Sequence, residues 1–269
     1  MTLATSYWDA TLAIVRRDVA AFLSYRLRFI SQMLSTFFSV VLFYYISRLV
    51  KVSTFGSSDN YFAYVVVGLV IMSSLVSTLS MLPARIRQEL VAGTLERLLL
   101  SPFGAVAAIG AMILFPFLLA IVNGVITISF AALVFGMPIR ATAPLALPAA
   151  ALGAFAFAPF ALFTAAVVVV AKQAQSGVGF LITGISLIGG FFFPVELLPH
   201  WIQWASEVQP FSPALELLRY LLAGTPVSTS VSVALLKMAL FGGVLLIPAA
   251  WSLALAIRLG QRRGTIMEY

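Results

Sequence analysis

Stretches without a single charged side chain alternate along this sequence with short polar interruptions. No Asp, Glu, Lys or Arg occurs in Phe29–Ser47, Asn60–Ala84, Leu98–Ile139, Leu145–Ala171, Gly177–Phe193 or Met238–Ile257. About 20 helical residues rising 1.5 Å each cover roughly 30 Å, the thickness of a hydrocarbon core. The pattern predicts an all-α integral membrane protein with six transmembrane helices, at 29–50, 60–84, 106–135, 145–171, 177–194 and 231–257. The 42-residue run Leu98–Ile139 reads as one crossing kinked at Pro116. A turn near Pro116 or Asn123-Gly124 has no polar cluster to satisfy the freed backbone groups. Gly153, Ala154, Ala158, Ala161 and Ala165 make the fourth crossing small-sided, which lets neighbouring helices approach closely.

Two interruptions carry structure of their own. In residues 1–28, Trp8, Leu12, Val15, Val19 and Phe22 recur at helical spacing while Asp9, Arg16 and Arg17 fall elsewhere on the wheel. That is the pattern of an interfacial helix lying along a membrane surface, and its charges break any cleavable-signal pattern. Residues 195–226 hold Glu196, Glu207, Glu216 and Arg219, yet also Trp201, Trp204, Phe211 and Leu217-Leu218. The segment is too polar to cross and too apolar for water, so two short helices dipping into the outer interface are expected. Ser212 would cap the second, with Pro213 in its first turn and Gly224 after its last.

Composition narrows the class. The chain is 62% hydrophobic and 9% charged, where a soluble domain carries about a quarter charged residues. A net charge of +7 does not indicate nucleic acid, because the basic residues lie between hydrophobic runs and not in one stripe. They report topology instead: with 1–28, 84–102, 172–176 and the tail 258–269 in the cytoplasm, eleven of the 16 basic residues are inside. No Walker-type phosphate loop occurs, and no metal or cofactor site is expected on this chain; His200, the one histidine, reads as a surface residue. The crossings lack ionisable groups away from their ends, which argues against an ion-driven carrier.

The most informative stretch is the charged island 85–102, flanked by lipid-compatible runs. Arg85, Arg87, Glu89, Glu96 and Arg97 cost too much in hydrocarbon, at about 2.5–3.5 kcal/mol for an Arg at a helix centre. Gly93 suits the left-handed residue that ends a helix, Thr94 can cap the next, and Ser101-Pro102 redirects the chain. The spacing E-x3-G-T-L-E-x4-S-P, formed by Glu89, Gly93, Thr94, Leu95, Glu96, Ser101 and Pro102, resembles the cytoplasmic coupling helix of type-2 ABC transporter permeases. Phe193-Pro194, Leu198-Pro199, Pro210, Pro213 and Arg219 are similar to the external re-entrant helical hairpin of the same family.

The resemblance implies a permease subunit of an ABC exporter in the plasma membrane, not an enzyme itself. ATP and Mg would be bound by two separate ATPase subunits, and the permease would act as a homodimer or beside a similar permease. Glu89, Glu96 and Arg97 would offer charge pairs to the ATPase, and Leu95 would fill an apolar pocket on it. The G-T-L-E form is closer to the drug- and lipid-exporting branches, so an amphipathic small molecule or lipid is the expected cargo. A lipid-linked polysaccharide or teichoic-acid-like polymer is the alternative, and a non-transporting sensor or scaffold that binds an ATPase is a reading of another class.

Overall fold

The computed structural model describes residues 3–24, 26–49, 57–95, 103–171, 175–227 and 230–262, and the regular structure among them is entirely helical. In chain order the helices are α1 (Leu3–Ser24), α2 (Arg26–Leu49), α3 (Ser58–Val91), α4 (Ala105–Ala111), α5 (Leu114–Phe135), α6 (Ala146–Ala171), α7 (Gln175–Ile188), α8 (His200–Val208), α9 (Phe211–Ala223) and α10 (Val231–Arg262). Among the described residues, five stretches are long and apolar enough to cross a membrane: Phe29–Leu49, Ser58–Val91, Ala105–Phe135, Ala143–Ala171 and Val231–Arg262.

Helix α3 is the central post. The Ser57 side chain accepts the Asn60 N–H at 3.2 Å and Asp59 lies in the first turn, so donors and dipole are both satisfied at its start. Its 34 residues span about 51 Å, well beyond a hydrocarbon core. Nothing between Ala84 and Arg85 breaks it. The first part of the charged island, expected as a separate short helix, is therefore the protruding end of this crossing.

The kink expected at Pro116 lies one turn earlier. Proline has no N–H for the carbonyl four residues back and its ring collides with that carbonyl, so the helix breaks at Met112–Ile113 between α4 and α5. Helices α6 and α10 form the tightest pair. A Cβ on Gly242 would lie 2.5 Å from the Phe155 ring and 3.3 Å from the Ala156 Cα, and one on Gly153 would lie 3.5 Å from the Met238 Cε. Residues 153 and 156 thus meet 238 and 242 in the same order, so the two helices run parallel.

Parallel neighbours require the chain between them to travel back to the end where α6 began. The return starts with α7, whose 14 residues cover only about 21 Å. The expected fifth crossing at 177–194 stops at Ile188, because Gly189 and Gly190 (φ 71°) turn the chain. A turn at Val195–Leu197 and the short helices α8 and α9 follow.

Two apolar cores hold the bundle. One joins Phe62, Val66, Phe191, Phe211, Leu217 and Met238, and the other joins Leu82, Ile86, Leu95, Ile109, Leu162 and Leu253. They lie at the two ends of α3.

Candidate functional site

At the C-terminal end of α3 the helix closes as the sequence predicts. Gly93 adopts φ 66°, its N–H donates to the Leu90 carbonyl at 3.1 Å, and the Thr94 N–H donates to the Glu89 carbonyl at 3.0 Å. This paired closure uses two of the helix's last free carbonyls. The Thr94 hydroxyl also donates to the Glu89 carboxylate, so the side chains reinforce the turn.

Glu89 has a second partner across the interface with α1. The Arg17 guanidinium lies 2.8 Å from the Glu89 carboxylate, and one turn back along α3 Arg85 donates to the Asp18 carboxylate. Arg17 also reaches Asp18, at 3.4 Å. Charges alternate around this four-residue cluster. Asp18 is 1% exposed, and burial raises its carboxyl above the usual carboxylate range, outweighing the lowering by Arg85 and Arg17. Helix α1 turns Ile14, Asp18 and Phe22 toward the body, while Trp8, Val19 and Leu23 remain exposed on a flank suited to lipid. Phe22 meets Phe115 edge-on at 5.6 Å.

Leu95 does not point away from the protein. It is 2% exposed and belongs to the core with Leu82 and Ile86, so this chain itself supplies the apolar pocket expected of a partner. Glu96, Arg97, Ser101 and Pro102 lie outside the described residues.

The opposite end of the molecule is built around Arg219. It is 3% exposed and donates to the carbonyls of Gly190 at 2.9 Å, Phe191 at 2.7 Å and Tyr64 at 3.2 Å. Its guanidinium carbon lies 3.3 Å from the centre of the Tyr64 ring, and the Tyr64 hydroxyl donates to the same Gly190 carbonyl. A guanidinium keeps its proton in proteins, so the assembly buries a cation. Gly68 makes the approach possible: a Cβ there would stand 2.0 Å from the Phe191 carbonyl oxygen. Tyr64 is six residues into α3, so the turn at Gly190 is held about 9 Å inside that helix's end.

The prolines flagged in the sequence occupy the element starts. Pro194 precedes the turn at Val195–Leu197, Leu198 ends it, Pro199 precedes α8, Pro210 precedes α9 and Pro213 falls in its first turn. Phe193 is half-buried beside them. Helix α9 begins two residues earlier than expected, so Ser212 lies inside its first turn and not at the cap, and its hydroxyl points to the Gly189 carbonyl at 3.5 Å. Gly224 closes it in the left-handed region, and the loop before α6 clamps its end through Arg140 N–H to Leu222 O at 3.0 Å and Thr142 Oγ1 to Leu221 O at 2.7 Å. Trp201 is 73% exposed on α8.

The family model for the ABC-2 type transporter membrane domain matches residues 9–223 of this chain, four-fifths of its length. The chain belongs to the ABC-2 type transporter family. It is a multi-pass membrane component of a transporter, and membership implies association with ABC ATPase subunits. No curated protein matches the sequence. The matched region of this ABC-2 domain runs from α1 through α9, so it includes both polar assemblies. Sequence reasoning found Glu89, Gly93, Thr94 and Arg219, and missed their partners Arg17, Asp18, Arg85, Tyr64, Gly68 and Gly190. Only the last could be suspected locally, as half of the Gly189-Gly190 pair.

Proposed function

We propose that this chain is the membrane-spanning subunit of an ATP-driven exporter that moves an amphipathic small molecule or lipid out of the cytoplasm or inner leaflet. Two copies, or this chain and a similar permease, would form the path, with two ATPase subunits on the cytoplasmic face. The charged end of α3 lies on that face under this reading, as do both termini. The sixth crossing is α7 completed by the re-entrant α8–α9 hairpin, a reading supported by the parallel run of α6 and α10 and by the depth at which Arg219 holds Gly190.

The observation that carries the reading is the double tie between α1 and the end of α3, Arg17 to Glu89 and Arg85 to Asp18, at the start of the E-x3-G-T-L-E-x4-S-P segment. A push on residues 96–102 by a closing ATPase dimer enters α3 through the Gly93 turn and α1 through the ion pairs. The interfacial helix and the crossing then move as one rigid body, which is how a small displacement at a docking surface becomes a change in a membrane path. Leu95 anchors the segment to the body, and Glu96 and Arg97 remain as charges for the partner to read.

The test is ATP hydrolysis by the reconstituted complex with both charges reversed, Glu96→Arg together with Arg97→Glu. The reversed permease should insert normally and lose stimulation of its ATPase at least tenfold, about 1.4 kcal/mol of coupling. Stimulation equal to that of the unmodified permease would remove the coupling role from this segment.

A further inference from the structure

The helix break at Met112–Ile113 leaves space beside the charged end of α3. A cavity of about 450 Å³, within the range of small-ligand sites, lies there between α1, the start of α2, α3 and the first turn of α5. Phe22, Phe29, Met81, Leu82, Phe115 and Pro116 give it apolar walls. Arg85 and Gln88 line it from α3, three residues apart and so side by side, and Gln32 lines it from α2. Gln88 is exposed at the protruding end of α3, while Met81 lies about 10 Å back along that helix toward the bilayer. The cavity is therefore polar on the water side and apolar on the membrane side.

The charge that a ligand meets there follows from which ionised groups keep any accessible surface. Asp18 borders the cavity but is 1% exposed, closed off under the Arg85 and Arg17 guanidiniums, so no ligand reaches its carboxylate. Glu89 turns instead to Arg17 and Thr94. The Arg85 side chain is 25% exposed, and its bond to Asp18 uses one of the five N–H donors of a guanidinium. A ligand finds a cation and amides, and no reachable carboxylate among the described residues of the lining. A zwitterionic or cationic head would leave its positive group unpaired. An anionic head takes a charge-assisted bond from Arg85 and an N–H from the Gln88 amide. A small free anion would gain nothing from the aromatic walls, whereas the chain of a lipid fills them. Leu27 and Ile30, on the same turn of α2 as Phe29, are exposed, so a chain leaving the cavity past α2 continues over apolar surface.

We propose that this cavity binds an anionic phospholipid of the leaflet in which α1 lies, with the phosphate on Arg85 and Gln88 and the upper part of one chain between Phe22, Phe29 and Phe115. The lipid packs α1 against α3 beside the ion pairs that tie them.

The probe is phosphatidylglycerol with a diazirine on its upper acyl chain, placed in phosphatidylcholine nanodiscs around the purified permease without any ATPase, so failure here leaves the transport reading standing. Adducts are expected on Phe22, Phe29, Met81–Gln88 and Met112–Pro116. Unlabelled phosphatidylglycerol should compete about tenfold better than phosphatidylcholine, as for one charge-assisted hydrogen bond, and inorganic phosphate should not compete. Asp18→Asn releases Arg85 from its carboxylate and should strengthen the preference for phosphatidylglycerol severalfold. Asp18→Asn together with Arg85→Gln keeps the net charge of the protein, leaves no buried charge unpaired and should abolish the preference. Ala84→Phe, which fills the cavity and touches no charge, should abolish labelling at these positions. Equal competition by phosphatidylcholine, competition by inorganic phosphate, a preference unaltered in the double variant, or adducts spread along α2 and α10 would each overturn the assignment.

Discussion

The two ends of α3 solve the same problem, charge near a membrane, in opposite ways. At the hairpin end, one arginine is buried against three backbone carbonyls and the face of Tyr64. At the α1 end, two arginines and two carboxylates alternate, with Arg17 nearly half exposed. Carbonyl dipoles have no second place to go, so the Arg219 assembly has one arrangement. Ion pairs that reach water, as those of Arg17 do, exchange partners cheaply, because water competes for the charge and a new pair replaces the old at about the same energy. The hairpin end is a fixed anchor, and the α1 end is a joint that transmits motion and can be re-made.

The strongest way to break this contrast is Arg219→Met. Removing the cation strips the Phe191 carbonyl of its 2.7 Å donor and leaves a space beneath Tyr64, so a loss of about 3 kcal/mol is expected from a buried acceptor left unmet together with the cavity. Arg219→Lys should lie between the two, since an ammonium keeps the charge but cannot supply the planar fork that meets Gly190 and Phe191 together. Thermal unfolding in detergent measures both. A loss below about 1 kcal/mol for Arg219→Met would reduce the assembly to an ordinary surface contact.

Gly68→Ala sharpens the same contrast without touching a charge. The added Cβ would fall 2.0 Å from the Phe191 carbonyl oxygen, a backbone atom that cannot rotate away, so α3 and the Gly190 turn must separate. A loss of about 1 to 3 kcal/mol is expected from overpacking, along with faster protease cleavage between Gly189 and Pro199. Gly153→Ala, whose Cβ would meet only side-chain atoms at ordinary distances, should cost far less and serves as the control.

How much of this was legible in the sequence follows from distance along the chain. Charge-free runs gave the long crossings, and the G-T at 93–94 gave the turn that closes α3, because hydropathy and helix capping are local properties. The short span of α7 was not legible: Gly177 to Phe193 is charge-free throughout, and the Gly189-Gly190 turn that ends the helix is held in place by the docking of Gly190 under Arg219. Arg219 stood out through the resemblance to the family's hairpin, but its acceptors are backbone carbonyls up to 155 residues away, which leave no mark in side-chain pattern. Asp18 was hidden for the same reason, since its partner Arg85 is 67 residues on. Leu95 was assigned to a partner's pocket by the resemblance alone, whereas the fold turns it into the core with Ile86.

Smaller effects are expected at the α1 end. Arg17→Glu opposes two carboxylates and should weaken α1 docking by no more than about 1 kcal/mol, given the exposure of Arg17. Adding Glu89→Arg reverses the pair and should restore docking, which a double-mutant cycle reads as a favourable coupling. Coupled ATP hydrolysis should follow the cycle, falling in each single variant and recovering in the double. Recovery of docking without recovery of hydrolysis would mean that the joint holds α1 but transmits nothing.

The smallest effect tests what kind of joint it is, through pH. Asp18 has its carboxyl raised by burial in the folded protein, so the folded form holds that proton more tightly than the unfolded chain does. The linkage sign follows: the contribution to stability is complete below the ordinary carboxylate value and is lost as pH rises through the raised folded value. Docking of α1 should therefore weaken gradually from about pH 4 upward, measured as the distance between spin labels on exposed positions of α1 and α2. Asp18→Asn should remove the slope, because the amide has no proton to lose, while Arg17 and Glu89 continue to pair. A slope of the opposite sign would mean that Arg85 and Arg17 together outweigh the burial of Asp18. The joint would then be held by its charges as firmly as the hairpin is held by its carbonyls, and the contrast between the two ends of α3 would be lost.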